Sequence, residues 1–473
     1  MDTISTVVAL AYLAAAVAFV VGLHRMNSPA SARSGNQLSS AGMILAVAAT
    51  LLKVITDGAI SGTGWAVLGA GAVVGAGTGL RMAQQVKMTA IPQLVSLFNA
   101  VGGGAAALVA LAGFVRLGGL AGSAIPTRVV VATVLDVLIG GVTFSGSLIA
   151  AGKLQGWISG QPLVFPGARV LTAVLAAVAV GGSAYLLTGD DSIAMLIVVT
   201  GAALVFGVTM VLPIGGADMP VVISLLNAFT GIAVAMAGFV IDSSALIIAG
   251  ALVGASGGIL TKLMADAMNR SILSIISGGF GTGDTPAAPL VGASADIRRL
   301  SAEDAAIQLA YASRVIIVPG YGLAAAQAQY EVRELATLLE SRGASVSFAI
   351  HPVAGRMPGH MNVLLAEANV PYTLLKEMDV INPDFPNADV ALIVGANDVT
   401  NPAARRPNTP ISGMPILDVD KAKNIIVIKR SMGHGYAGID NELYANPKTG
   451  MLFADAKRGL SDITLAIKLL VAV

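Results

Sequence analysis

Val315-Ile316-Ile317-Val318-Pro319-Gly320-Tyr321-Gly322-Leu323-Ala324-Ala325-Ala326-Gln327 is a β-branched run that stops at two glycines and passes into an Ala-, Gln- and Glu-rich pattern. It reads as a strand, a tight turn at Gly320-x-Gly322-x-x-Ala325 and the start of a crossover helix over 323–342. Glycines in such a turn let the backbone approach a pyrophosphate, and the N–H groups and positive dipole end of the helix hold its charge. Glycine-rich turns before helices are common, so the surroundings decide what this one means.

Outward from that turn the C-terminal third alternates helix and strand. An amphipathic helix over 301–312, with acids in its first turn, precedes the strand at 314–318. Further strands are expected at 345–350, 389–394 and 424–429, with helices at 361–367 and 455–470. This is an α/β, Rossmann-like, doubly wound parallel sheet, whose ligand belongs across the carboxyl ends of the strands.

The rest of the chain is of another class. Of 473 residues 55% are hydrophobic and 12% charged, against about a quarter charged in soluble domains. The first glutamate is Glu303, and of the 28 Lys and Arg only 11 lie before residue 277. The chain therefore divides into a membrane part over 1–276, a Gly-, Pro- and Ala-rich linker over 277–300 and a soluble domain over 301–473. A net charge of +1 gives no support to nucleic-acid binding. The absence of cysteine excludes disulfides, thiolate zinc and thiol catalysis, and His24, His351, His360 and His434 have no metal-ligand spacing.

The first apolar run ends before the first basic residue, Arg25, the reverse of a signal peptide, so it reads as a span with its N-terminus outside. Eight more segments of spanning length follow near 38–56, 60–80, 91–114, 127–150, 168–188, 192–212, 219–240 and 244–264, giving about nine transmembrane helices. The Gly-rich piece 69–79 suits close helix contacts. With that orientation Arg25, Arg33, Arg81, Lys87, Lys153, Arg169, Lys262 and Arg270 lie inside, and only Lys53, Arg116 and Arg128 outside. The bias obeys the positive-inside rule and places the α/β domain in the cytoplasm.

A few polar residues sit at depth. Pro92 and Asn99 in one span are repeated by Pro220 and Asn227 in another, and interhelical hydrogen bonding accounts for either Asn. Asp136, near the middle of the fifth span, marks an ion or proton path or stays neutral and structural. Asp218 caps the start of the eighth span.

In the soluble domain three loops converge. After the second strand a dinucleotide fold normally supplies an acid for the ribose 2′-hydroxyl; here the chain has His351 and Arg356 and no acid. Lys429-Arg430-Ser431 follows a later strand with two cations and a hydroxyl, leading into a Gly-rich flap. A 2′-phosphate needs such neutralisation, so the chemistry points to NADP rather than NAD. Gly395-Ala396-Asn397-Asp398 adds polar groups for a ribose or a nicotinamide amide. There is no nucleophile–base set, and hydride transfer needs none because the cofactor carries the reactivity.

Pro319-Gly320-Tyr321-Gly322, HPVAGRMPGHMNVLL at 351–365, Gly395-Ala396-Asn397-Asp398, Lys429-Arg430-Ser431 and Gly435-Tyr436-Ala437-Gly438 together resemble the β subunit of proton-translocating NAD(P) transhydrogenase. Ala267-Met268-Asn269-Arg270-Ser271 and Ser277-Gly278-Gly279-Phe280-Gly281-Thr282 are similar to that family's junction between membrane and soluble parts. The resemblance implies an NADP(H)-binding domain III behind part of membrane domain II, with NAD(H) on a separate α subunit that carries further transmembrane helices. It implies contacts to NADP(H) from Gly320, Tyr321, Gly322 and Ala325, then Val353, Ala354, Gly355, Arg356, Met357 and Pro358. Gly395, Ala396, Asn397, Asp398, Val399, Gly413 and Met414 follow, then Lys429, Arg430, Ser431, Met432, Gly433, His434, Gly435, Tyr436 and Ala437, with Asp455 and Ala456. In the family the Lys-Arg-Ser element takes the 2′-phosphate, the Gly-Tyr-Ala-Gly flap covers the cofactor, and NADP lies reversed relative to the usual Rossmann arrangement.

The implied activity is Si/Re-specific hydride transfer from NADH to NADP+, giving NADPH and NAD+ and driven by protons entering the cytoplasm. It takes place in the inner membrane of a bacterium, in a dimer of αβ units. Many members carry histidine where this chain has Asn99; in those with Asn the ionisable group comes from the α subunit, leaving Asn99, Asp136, Asp218 and Asn227 as candidates to line the path. The alternative is a transporter or channel with a cytosolic nucleotide-sensing domain; its mark would be paired inverted repeats, and none is evident.

Overall fold

The computed structural model describes residues 3–26, 29–58, 60–121, 125–160, 162–189, 192–215, 218–268, 271–276, 297–355, 359–407, 409, 411–433, 435, 437 and 439–471. The chain divides into two compact units, Met1–Ile214 with Val222–Thr261 and Gly215–Val221 with Lys262–Val473. Most of the expected linker, residues 277–296, lies outside the described residues.

Nine helices among the described residues are long and apolar enough to cross a membrane. They are α1 (Thr3–Met26), α2 (Pro29–Asp57), α3 (Gly62–Gln85), α4 (Ile91–Ala121), α5 (Thr127–Gln155), α6 (Ala168–Leu186), α7 (Ile193–Val211), α8 (Met219–Val240) and α9 (Ser244–Ala267). A short α10 (Ile272–Ile276) follows. Hydrocarbon supplies no force that pushes apolar helices together, so contact rests on small residues that let backbones close up. A Cβ on Gly140 of α5 would lie 2.6 Å from the Gly103 carbonyl oxygen of α4, and one on Gly231 of α8 would lie 2.3 Å from the Gly254 nitrogen of α9. Lys153, buried at the end of α5, donates to the carbonyls of Leu212 (2.5 Å), the residue that caps α7, and of Ile214 (2.8 Å) just beyond it. The expectation for 69–79 is not met among the described residues: a Cβ on Gly69, Gly71, Gly75, Gly77 or Gly79 of α3 would meet nothing within 4 Å.

The second architecture begins at α11 (Ala302–Ala310), whose Ser301 and Asp304 form a reciprocal capping box. Then come β1 (Arg314–Pro319), α12 (Tyr321–Ala325), α13 (Gln329–Ser341), β2 (Ser345–Ile350), α14 (His360–Glu367), β3 (Leu375–Glu377) and α15 (Met378–Ile381). β4 (Val390–Val394), β5 (Asn424–Lys429), β6 (Thr449–Phe453) and α16 (Ala456–Val471) complete it. All pairings are parallel, in the order β3-β2-β1-β4-β5-β6. This is the doubly wound order, with its reversal between β1 and β4.

Period-two alternation divides the core. Val315 and Ile317 pack with α11, α13 and α16 on one face, while Ile316 and Val318 face Phe385, Leu417, Val419 and Leu443 on the other. That second face is covered by α15 and by 3₁₀ turns at Asn382–Asn387, Val419–Lys421 and Glu442–Ala445 rather than by long helices.

Three sequence expectations change. Six strands stand where four were expected: β3 has only three residues, too few to show a period, and β6 contains Gly450, whose missing side chain makes room for Leu300. The crossover helix is broken into α12 and α13, with Gln327 between them at φ 51°. Residues at the end of the expected linker join the sheet region, as Leu300 N–H donates to the Met451 carbonyl at 2.9 Å.

Gly231→Ala should destabilise the helix bundle by about 1–3 kcal/mol, because backbone atoms of α9 cannot yield to a new methyl. The check is the unfolding temperature of the detergent-solubilised chain, and an unchanged value would contradict the close α8–α9 approach.

Candidate functional site

The carboxyl ends of β1 and β4 are joined backbone to backbone. Gly320 N–H donates to the Val394 carbonyl and Gly322 N–H to the Gly395 carbonyl, both at 2.9 Å. A Cβ on Gly320 would lie 2.4 Å from Ala396 Cα, and one on Gly322 2.6 Å from Gly395 Cα. These glycines therefore make room for the neighbouring strand. The sequence reading gave them a different job, a pyrophosphate cradle with N–H groups pointing at a ligand; here both N–H groups are spent inside the sheet, and α12 behind them is only five residues long. Tyr321 is part-exposed beside them, and Ala325 lies exposed at the end of α12.

β4 continues into Gly395, at φ 69°, then Ala396, Asn397 and a 3₁₀ turn from Asp398 that includes Val399. Asn397 and Asp398 are anchored from the loop after β5. Asp398 Oδ2 accepts from Ala437 N–H at 3.1 Å, and Gly435 runs so close to its carboxylate that a Cβ there would fall 2.3 Å from Oδ1. Asn441 Nδ2 donates to the Asn397 backbone carbonyl at 3.0 Å, and Asn401 Nδ2 to that of Asp440 at 2.9 Å. The flap that starts at Gly435 is thereby pinned to the end of β4.

Lys429 closes β5 with its ammonium donating to the Gly433 carbonyl at 2.5 Å. Burial pushes its pKa down, and the charges of Asp398 and Asp440 pull the other way. Arg430, Ser431, Met432 and Gly433 are exposed next to it. β6 ends beside β5, with Ala454 N–H bonded to the Lys429 carbonyl, and it leads into Asp455 and the buried Ala456 at the start of α16.

On the other side of the sheet reversal, the loop after β2 holds Val353, the buried Ala354 and Gly355, the last at φ 103° over His360. His351, 1% exposed, ties this loop down: its Nε2 lies 2.8 Å from the Pro415 carbonyl, and its Nδ1 accepts from Val353 N–H at 3.2 Å. That pattern requires a neutral ring protonated on Nε2, and burial drives its pKa down to about 4, opposed by the bond to Pro415. Gly413, at φ 78°, donates to the Ala404 carbonyl, and Met414 packs with Ala403, Ala404 and Ile411 just before Pro415. Arg356, Met357, Pro358, His434 and Tyr436 lie outside the described residues. Two side chains that the sequence left without a role, His351 and Asn441, organise these loops; a histidine directly after a strand was the available signal for the first.

The polar residues of the membrane helices do not form one cluster. Asn99, buried in α4, donates to the Ile223 carbonyl of α8 at 3.2 Å, the interhelical bond that the bland reading expects. Asn227 stands one turn further along α8 and is part-buried. Asp136 is fully buried, and neither carboxylate oxygen has a hydrogen-bond partner among the described residues. Asp218, buried immediately before α8, falls in the other unit.

The family model described as NAD(P) transhydrogenase beta subunit matches residues 8–466. The chain belongs to that family. It is 47% identical over 462 residues to the NAD(P) transhydrogenase subunit beta of Rhodospirillum rubrum, covering 97% of this chain and 98% of that protein. A subunit of the same name from a strain of the same species matches to the same extent.

The neutral His351 yields a pH prediction. Its folded pKa, about 4, lies below the value near 6.5 of an unfolded histidine, so between those limits the unfolded chain binds a proton that the folded one does not. Stability of the sheet domain should rise by up to about 1.4 kcal/mol per pH unit from pH 4 to 6.5 on this account. His351→Gln should flatten that slope in thermal melts across the window, and an unaltered slope would assign it to other groups.

Proposed function

We propose that this chain is the membrane and NADP(H)-binding subunit of a proton-pumping transhydrogenase. Residues 301–473 bind NADP(H), 1–276 conduct protons and 277–300 link the two. A partner alpha subunit holds NAD(H), and two αβ units associate. The beta designation shared by the family and the R. rubrum relatives supports the partner.

The observation that carries the reading is the donor set at the ends of β4 and β5. Lys429, Arg430 and Ser431 combine an ammonium, a guanidinium and a hydroxyl, the groups that neutralise a phosphate, and the flap at Gly435 is anchored beside them through Asp398. The loop after β2 opens with a buried neutral histidine in place of the acid that would favour a bare ribose hydroxyl. The described residues therefore fit a 2′-phosphorylated dinucleotide, with Lys429 to Ser431 taking the 2′-phosphate and Gly395 to Val399 lying beneath the flap. Bound NADP(H) supplies the hydride chemistry; the chain supplies position and charge, and no side chain is needed as nucleophile or base.

The two nicotinamides have nearly equal potentials, so a proton gradient acts by changing the affinity of domain 301–473 for its nucleotide. Such coupling is reciprocal in binding terms. Asp136, a buried carboxyl without a hydrogen-bond partner among the described residues, is our choice for a group on the proton route, with Asn99, Asn227 and Asp218 lining it. The excess of Lys and Arg on one side of the spans supports a cytoplasmic sheet domain and an external N-terminus, and the bacterial relatives support residence in a bacterial inner membrane. In that setting the enzyme regenerates NADPH.

Fluorescence titration of the full chain with NADPH, with NADH as competitor, tests the reading. Tight NADPH binding that excess NADH leaves untouched supports it, whereas preference for NADH or absence of binding overturns the nucleotide assignment and returns the channel with a sensing domain. Replacing Lys429 and Arg430 together by Ala should weaken NADPH at least a hundredfold, roughly two charge-assisted hydrogen bonds, with little change for NADH; equal losses for both would refute the 2′-phosphate role. Asp136→Asn should reduce proton pumping by the αβ complex in vesicles by about tenfold or more while NADPH affinity is kept, and undiminished pumping would remove Asp136 from the route.

A further inference from the structure

Tyr444 belongs to none of the motifs singled out in the sequence, yet it touches two of the groups assigned to the nucleotide. It sits in the 3₁₀ turn Glu442–Ala445, capped by Asn441, and is 3% exposed. Its hydroxyl donates to Asn397 Oδ1 at 2.9 Å, and its ring lies under Lys429, with Nζ 4.7 Å from the centroid. The two contacts reach the carboxyl ends of adjacent strands, β4 and β5.

The hydrogen bonds fix which way the Asn397 amide faces, and the logic starts at a backbone donor. Leu443 N–H donates to Asn441 Oδ1 at 2.9 Å, so the other atom of that amide is Nδ2, a donor. Asn441 Nδ2 donates to Asn397 Oδ1 at 3.2 Å, which makes that atom the oxygen, and the Tyr444 hydroxyl is a second donor to it. With Oδ1 held by two donors, Asn397 Nδ2 is the donor left for a ligand. Burial and the charge of Asp398 push the Tyr444 pKa up, so the hydroxyl keeps its proton.

The ring acts on Lys429. An ammonium over an aromatic face is attracted by the ring's quadrupole, and the Gly433 carbonyl at 2.5 Å draws it from the flap side. The long lysine stem would otherwise sample many rotamers, and holding it in one conformation lowers the ordering cost on binding.

We propose that Tyr444 is a positioning residue of the nucleotide site, orienting Asn397 through its hydroxyl and Lys429 through its ring. The inference rests on the NADP(H) reading above. A tyrosine that merely fills the core beneath β5 would affect binding through stability alone, independently of Asn397 and Lys429.

Two double-mutant cycles on the full chain, read by NADPH titration, separate these roles. Tyr444→Phe keeps the ring and the fold and should weaken NADPH about fivefold, the loss of one net hydrogen bond, but by less than about twofold when Asn397 is already Ala. Tyr444→Leu should weaken NADPH by about a further threefold and should lose that further effect in a Lys429→Ala background; if the Leu variant does not fold, the Phe cycle decides. Additive effects in the cycles, or wild-type affinity in Tyr444→Phe, would overturn the positioning role while leaving the nucleotide site in place. Failure of the unmodified chain to bind NADPH would overturn both.

Discussion

The sheet domain depends on the approach of two backbones where the strand order reverses. Gly320 and Gly322 press against Gly395 and Ala396 so closely that no side chain fits between them, and their N–H groups bond the Val394 and Gly395 carbonyls at the end of β4. The loop after β4 leaves directly from that junction, and Asp398 and Asn397 on it in turn hold the loop after β5. A wider junction would part β1 from β4 at the point where a doubly wound sheet receives its ligand. Glycine here serves strand-to-strand contact, and the polar work passes to side chains further along: His351, Asn397, Asp398, Lys429 and Asn441.

Those side chains share a division of labour. His351 and Asn441 face inward, spend their hydrogen bonds on the protein and hold loops. Lys429, Arg430 and Ser431 stand at the end of β5, where the Lys429 ammonium donates to the Gly433 carbonyl and the Ser431 hydroxyl accepts from Gly433 N–H. Asp398 belongs to both groups, since its carboxylate ties down Ala437 while its charge sits near Lys429. The Gly433 carbonyl that engages Lys429 lies four residues further along the same loop.

The membrane helices follow another constraint. Backbone polarity is satisfied within each helix, so affinity between helices comes from close contact of small residues, seen where Gly140 meets Gly103 and Gly231 meets Gly254. Against that apolar fit, a fully buried Asp136 without a hydrogen-bond partner among the described residues stands out.

Length, apolarity and charge bias in the sequence were sufficient for nine spans and a following α/β domain, because spanning length and period-two alternation are local properties of the chain. The family motifs named the loops for the same reason: they are contiguous runs. Tertiary structure alone decided the rest. It added β3 and β6, strands too short or too glycine-interrupted to read, and it paired the Gly320 and Gly322 N–H groups with carbonyls at the end of β4. Whether an N–H is free for a ligand depends on which carbonyl lies opposite, and that carbonyl is about 70 residues away in the chain. It also brought Tyr444 to Asn397 and Lys429, a meeting that no local pattern encodes because the three residues come from a 3₁₀ turn, the loop after β4 and the end of β5.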